Sequence, residues 1–273
     1  MGFGIIMLIT SASTTPGPFV AGVLYSQFGL VQGMRIGYGV VVAMFLTAAF
    51  LRLRLKETIA NARRPSLNEL LHAYPVALWE SFGVWKKVPR SMFYLFLSLA
   101  TAVFGIAAVQ LYLVVYAVEE LLIDKAVWPL VLTVLFVAMI ILAIPIGKIV
   151  DKVNRKLPIL AAYIVFGASL WLFLNADLPR LLVSLVLVGL GQVMMSAAFS
   201  ALQADLTPKE QRGKVHGFTN FTNNILMALG SLAGGVLYEH VSPQMPFLLA
   251  IVFIVPSFVL TLALVHEPQR REE

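Results

Sequence analysis

The long stretches of this chain that carry no Asp, Glu, Lys or Arg limit most strongly what it can fold into. They cover residues 1–34, 36–51, 91–118, 126–147, 157–176, 181–204, 215–238 and 241–265. A hydrocarbon core about 30 Å thick takes ~20 apolar residues of helix at a rise of about 1.5 Å each. Most of the stretches reach that length. The short second one can extend upstream past Arg35, whose long stem can carry its charge to the interface. The expectation is an all-α, polytopic membrane protein with eight transmembrane helices.

The charges between the stretches give an orientation. Of the 20 Lys and Arg residues, 17 fall in segments 52–90, 148–156, 205–214 and 266–273, leaving only Arg35, Lys125 and Arg180 for the other side. Basic residues accumulate in cytoplasmic loops, so both termini are expected in the cytoplasm of a cell-membrane protein. Trp79 and Trp85 then lie on the cytoplasmic side, and Trp128 and Trp171 in an outer aromatic belt. The net charge of +6 is thereby a topology signal, and no nucleic-acid partner is expected. The absence of cysteine excludes disulfides and thiolate metal sites. No basic region precedes the first apolar stretch, so no cleavable signal peptide is expected.

The longest break, 52–90, holds a capping-box pattern, Ser66 with Glu69, followed by Leu67, Leu70, Leu71 and Tyr74 on one helical face. Leu78, Trp79, Phe82 and Trp85 continue an apolar face toward Lys86, Lys87 and Arg90. It reads as a cytoplasmic connector lying along the membrane surface, with partner recognition as the alternative. An internal repeat adds a second clue. Gly22-Val23-Leu24-Tyr25 recurs as Gly235-Val236-Leu237-Tyr238, each copy ending a span. Repeats in matching positions mark transporters built from two related halves.

The segment Gly147-Lys148-Ile149-Val150-Asp151-Lys152-Val153-Asn154-Arg155-Lys156 resembles the G-x-x-x-D-[RK]-x-G-[RK]-[RK] loop of the major facilitator superfamily, with Asn154 in place of a Gly. Pro208 through Gly213 is similar to that family's P-x-x-x-R-G link. The first span resembles the Gly-Pro motif of its proton-coupled antiporters at Gly4, Gly17, Pro18 and Gly22, with Ser13 and Ala21 as small substitutes. Small residues there let another helix approach, and Pro18 permits a bend; generic tight packing is the alternative. The resemblance implies that 1–55 supplies the last two helices of an N-terminal half, 56–90 the connector and 91–273 a six-helix C-terminal half. A bundle of this type lacking about four N-terminal helices would not transport by itself.

The resemblance also implies alternating access without any cofactor, and an inside gate built from Gly147, Asp151, Arg155, Asp205 and Arg212, with Glu267 a weaker candidate. Polar stripes suggest which spans line a cavity. They are Ser98, Thr101, Gly105, Tyr112 and Tyr116 with Gln110 nearby; Gly189, Gln192, Ser196, Ser200 and Gln203; and His216, Asn220, Asn223, Met227, Gly230 and Gly234. Gln110, Tyr112, Tyr116, Gln192, Asn220 and Asn223 are the expected substrate contacts; helix-to-helix glue is the competing use of such residues. No Asp or Glu lies deep in a span, and His216 sits near the basic edge, so the coupling group of a proton antiporter would lie elsewhere. No nucleotide-binding, hydrolase or metal motif is present, which argues against an enzyme. The function expected is export of small amphipathic molecules, with protons as coupling ion. A sugar or metabolite symporter and a non-transporting remnant are the alternatives.

Overall fold

The computed structural model describes residues 13–14, 16–54, 66 and 83–267, and Asp151 by its backbone only. Gly4, Trp79 and the helix expected after Ser66 lie outside the described residues. The helices are α1 (Pro16–Leu53), α2 (Arg90–Gln110), α3 (Tyr112–Glu119), α4 (Trp128–Lys152), α5 (Lys156–Phe173), α6 (Leu178–Leu206), α7 (Arg212–His240) and α8 (Met245–Leu264), with a 3-10 turn at Val84–Lys86. Among the described residues there is no strand. In hydrocarbon each backbone amide must pair inside its own segment, and apolar helices satisfy that requirement.

Among the described residues, six helical segments are long and apolar enough to cross a membrane: Pro16–Leu53, Arg90–Glu119, Trp128–Val150, Lys156–Phe173, Leu178–Leu206 and Met245–Leu264. Two features separate this set from the expected eight. The described part of the first expected span and the whole of the second lie in α1, which is not one rod. Gly29 breaks it with φ 70° and ψ 178°, a left-handed conformation that suits glycine. The arms fold back on each other there, and a Cβ on Gly33 would lie 2.9 Å from the Leu24 carbonyl oxygen. The sharp break is thus at Gly29 and not at Pro18. The other feature is α7, which carries His216, Thr219, Asn220, Thr222, Asn223 and Asn224 in its first half and stays outside the apolar set.

Packing within 90–267 follows a two-fold pattern. Taking α3 as the continuation of α2 past Leu111, the helices form two trios: α2, α4, α5 and then α6, α7, α8. The first helix of each trio packs on the second and third of the other: α2 on α7 and α8, α6 on α4 and α5. Such inverted repeats underlie many transporter halves. Even the buried hydrogen bonds match. Ser98 of α2 donates to the Ser257 carbonyl of α8 at 2.8 Å, and Ser184 of α6 donates to the Ser169 carbonyl of α5 at 2.8 Å. Ser98 then accepts from Tyr163 at 2.8 Å and Thr261 at 2.6 Å, so its hydroxyl ties three helices together.

That geometry corrects part of the stripe that runs from Ser98 to Tyr116. Ser98 is fully buried, and Gly105 packs on Ala250 and Phe253 of α8. These two residues join helices and do not line an open face. Trp128 is also corrected: it is 7% exposed and belongs to the core, whereas Trp171, 67% exposed, sits where an aromatic belt can form.

The backbones of α7 and α2 approach closely. A Cβ on Gly230 would come within 2.9 Å of Ala107 Cβ and nearer still to the Phe104 carbonyl oxygen. One turn on, a Cβ on Gly234 would meet the backbone of Ala108, its Cα at 2.8 Å. Gly234→Ala should therefore push the helices apart and lower the thermal unfolding midpoint, at a cost of about 1–3 kcal/mol. Gly217→Ala in the same helix, where no atom lies within 4 Å of the new Cβ, should leave the midpoint unchanged or raise it slightly.

Candidate transport pathway and charge network

The expected substrate contacts fall at two levels. Gln192 is the midpoint residue of α6, and its side chain is exposed. Asn220 and Asn223 lie about 12 and 16 Å along α7 from Arg212, nearer the basic end than Gln192, which is about 21 Å along α6 from Leu206. Asn220 is exposed and its amide nitrogen lies 3.0 Å from His216 Nε2. The amide oxygen of Asn223 is buried with no protein hydrogen-bond partner, which leaves an acceptor available. Toward the basic end the two stripes meet, where Gln203 donates to Thr219 at 3.4 Å. Farther along α7, Gly230 and Gly234 give the same stripe to packing on α2. Gly189 does likewise on α6, against Leu135 and Met139 of α4.

The second level is nearer the far end. Gln110 closes α2 and is exposed. Tyr112 stacks on Tyr238 of α7 with ring centroids 5.1 Å apart and planes at 22°. Tyr116 lies elsewhere. It is fully buried against Phe173 and Phe247, at 6.0 and 4.7 Å between centroids, so its place is in the core between α3, α5 and α8.

At the basic end, Arg155 pairs with Asp205 across the α5–α6 boundary and also donates to the Ala201 carbonyl at 2.8 Å. The side chains are 18% and 19% exposed, so both charges are largely removed from water and depend on each other. Arg212 is not a partner in this pair. Its Nε donates to the Thr207 carbonyl at 3.2 Å and its Nη2 to the Ala204 carbonyl at 3.0 Å, capping the C-terminus of α6. Glu267 accepts the Lys156 N–H at 2.6 Å at the start of α5. Gly147 and Asp151 are one turn apart near the end of α4, and the Asp151 side chain lies outside what is described. In the first-span motif, Gly22 is where α1 meets α4: its Cβ would lie 3.0 Å from Pro129 Cβ. Gly17 has nothing within 4 Å, and Pro18 lies in the first turn described for α1. No group of three His, Asp or Glu among the described residues could hold a metal ion.

Apolar membrane-crossing helices in a two-fold arrangement, with uncharged polar side chains at mid-depth, define a multi-pass membrane protein of the transporter class. A family model, the Major Facilitator Superfamily, matches residues 95–273. The chain belongs to that superfamily. It is 30% identical over 125 residues to the quinolone resistance protein NorA of Staphylococcus aureus, a match covering 45% of this chain and 32% of that one. It is 32% identical over 114 residues to the vacuolar membrane amino acid uptake transporter fnx2 of Schizosaccharomyces pombe, covering 41% of this chain and 20% of that one. These alignments thus span a third or less of the curated relatives. Among solved structures, a bacterial homologue of the iron transporter ferroportin, in an outward-facing state, shares the fold. Its TM-score is 0.62 at 17% identity, over 95% of this chain and 62% of that one.

The ion pair yields a direct test. Arg155→Gln and Asp205→Asn should each destabilise the protein by about 1–3 kcal/mol, because each leaves the other charge without its partner. The double variant should lose less than the two single losses combined in unfolding measurements. Additive losses would mean that the two side chains do not act as a pair.

Proposed function

We propose that this chain works in the export of small amphipathic molecules by alternating access, with protons as the coupling ion and both termini in the cytoplasm. The observation that carries the reading is the run of uncharged amides inside apolar spans, Gln192 at the middle of α6 with Asn220 and Asn223 in the first half of α7. Transporter sites near the bilayer midplane suit such a lining. Amides can hydrogen-bond a polar group on a mostly apolar cargo, and the remaining contact is apolar surface. The resistance role in the name of the staphylococcal relative supports the same class, since quinolones are small aromatic amphiphiles. The approach of Gly22 to Pro129 supports a close contact between the first-span motif and α4, where helices of the two halves would slide. Arg155, Asp205 and the end of α4 at Asp151 form the proposed inside gate, whose ion pair would hold one state and open in the other. On this reading the protein is a carrier and not an enzyme.

A metabolite symporter is the second reading, favoured by the match to the amino acid uptake transporter and by Gln110 next to Tyr112. One assay separates the two. Cells expressing the chain as part of a complete transporter of this superfamily should accumulate less of a fluorescent amphipathic dye than control cells, and a protonophore should abolish the difference. Asn220→Ala or Gln192→Ala should each weaken the effect by about fivefold, the worth of one hydrogen bond of ~1 kcal/mol. Uptake of an amino acid driven by the proton gradient, with no change in dye accumulation, would replace export by the symporter reading.

A further inference from the structure

Three helices begin at the basic end of the bundle, and each starts with a cation where the helix dipole is already positive: Arg90 on α2, Lys156 on α5 and Arg212 on α7. Two of these starts are answered within the protein. Glu267 accepts the Lys156 N–H, and the Lys156 ammonium reaches the Leu262 carbonyl at 2.8 Å. Arg212 spends its guanidinium on the carbonyls that end α6. The start of α2 differs. All three starts lack an acidic residue in the first turn and a side-chain cap, but at α2 no hydrogen bond among the described residues brings a carboxylate or a carbonyl to the cations. Lys86, Lys87 and Arg90 are all exposed there, and the ion pairs among the described residues involve none of them.

These three cations are held in place. Val84 is 1% exposed and fixes the preceding 3-10 turn to the bundle. The Trp85 ring packs on Phe96 at 4.7 Å and edge-on against Phe93 and Phe218, both at 5.4 Å, so the turn also joins α2 to α7. Fixed like charges at a positive helix end repel one another unless an anion sits among them. An apolar track starts beside them: Phe93 and Leu97 follow Arg90 at three and seven residues on one face of α2, and both are exposed.

We propose that Lys86, Lys87 and Arg90 form a binding site for the phosphate of an anionic phospholipid, with an acyl chain lying along Phe93 and Leu97. The charge selects an anion, and the adjoining track selects a lipid over free phosphate. A tryptophan at the boundary between the charged and apolar parts is placed where indole rings favour a membrane interface. Because Trp85 bridges α2 and α7, a bound headgroup would brace two of the helices that carry the proposed pathway residues.

The test is native mass spectrometry of the full-length protein, delipidated in detergent and then given phosphatidylglycerol or phosphatidylcholine. The expected result is preferential retention of phosphatidylglycerol. Each of Lys86→Gln, Lys87→Gln and Arg90→Gln should reduce the preference by roughly fivefold. The charge-conserving variant Lys86→Arg/Lys87→Arg/Arg90→Lys should keep it, and so should Lys148→Gln/Lys152→Gln at the same end of the bundle. Equal retention of the two lipids would overturn the proposal. So would a preference that survives the triple Gln variant, an equal loss in the Lys148/Lys152 variant, or displacement of phosphatidylglycerol by millimolar inorganic phosphate.

Discussion

Helices in a bilayer gain little from burying apolar surface against one another, because lipid tails are as apolar as leucine. They hold together through close backbone approach and a few internal hydrogen bonds. The seam between α2 and α7 shows what this demands. Gly230 and Gly234 bring the α7 backbone against the carbonyls of Phe104 and Ala108, and no side chain fits between. The glycine seam lies in the far half of α7, while Phe218 in the near half packs on Phe96 of α2. That near half, from His216 to Asn223, keeps amide and imidazole groups that an apolar interface would not tolerate without partners. One helix thus serves as a packing surface at one end and as a polar wall at the other.

The two-fold pattern gives the same division to α6. Gly189 packs on α4, while Gln192 a turn later is exposed at mid-depth and Gln203 reaches Thr219 of α7 near the basic end. By contrast α5 and α8 are committed to the bundle through Tyr163, Thr261, Ser257 and Ser169 on one side and present residues such as Ile164, Trp171 and Val252 outward. The proposed pathway residues on these two helices therefore belong to the second and first helices of the same trio, with the third helix as support. The Arg155–Asp205 pair closes this arrangement at the basic end, where the first helix of one trio meets the third of the other.

The spans and the family were legible in the sequence because hydrocarbon thickness dictates the length of apolar runs and because the charged loops keep a fixed pattern. Arg155 and Asp205 could be read as partners for the same reason. The stripes were harder, since Ser, Thr and Gly serve equally to join helices and to line water. Ser98 and Gly105 joined helices, the α7 stripe divided between the two uses, and Tyr116 went to the core. A hydroxyl or a missing side chain carries no mark of which neighbour it meets. Arg212 was out of reach for a similar reason: guanidinium binds backbone carbonyls as readily as carboxylates, and only the end of α6 decides which. The reversal of α1 was legible in part, since Gly22-Val23-Leu24-Tyr25 ends a span in the sequence pattern, but Arg35 and not Gly29 marks the boundary between the two apolar runs.

The central claim is that the first half of α7 and the middle of α6 face an aqueous pathway while the opposite surfaces face lipid. The chain has no cysteine, so single substitutions can be read without background. The measurement is reaction with a membrane-impermeant thiol reagent in proteoliposomes. Gln192→Cys, Asn220→Cys and Asn223→Cys should be modified, whereas Leu232→Cys and Val252→Cys, on outward apolar surfaces, should not. Silence at all three polar positions, or equal modification at the outward ones, would contradict the account.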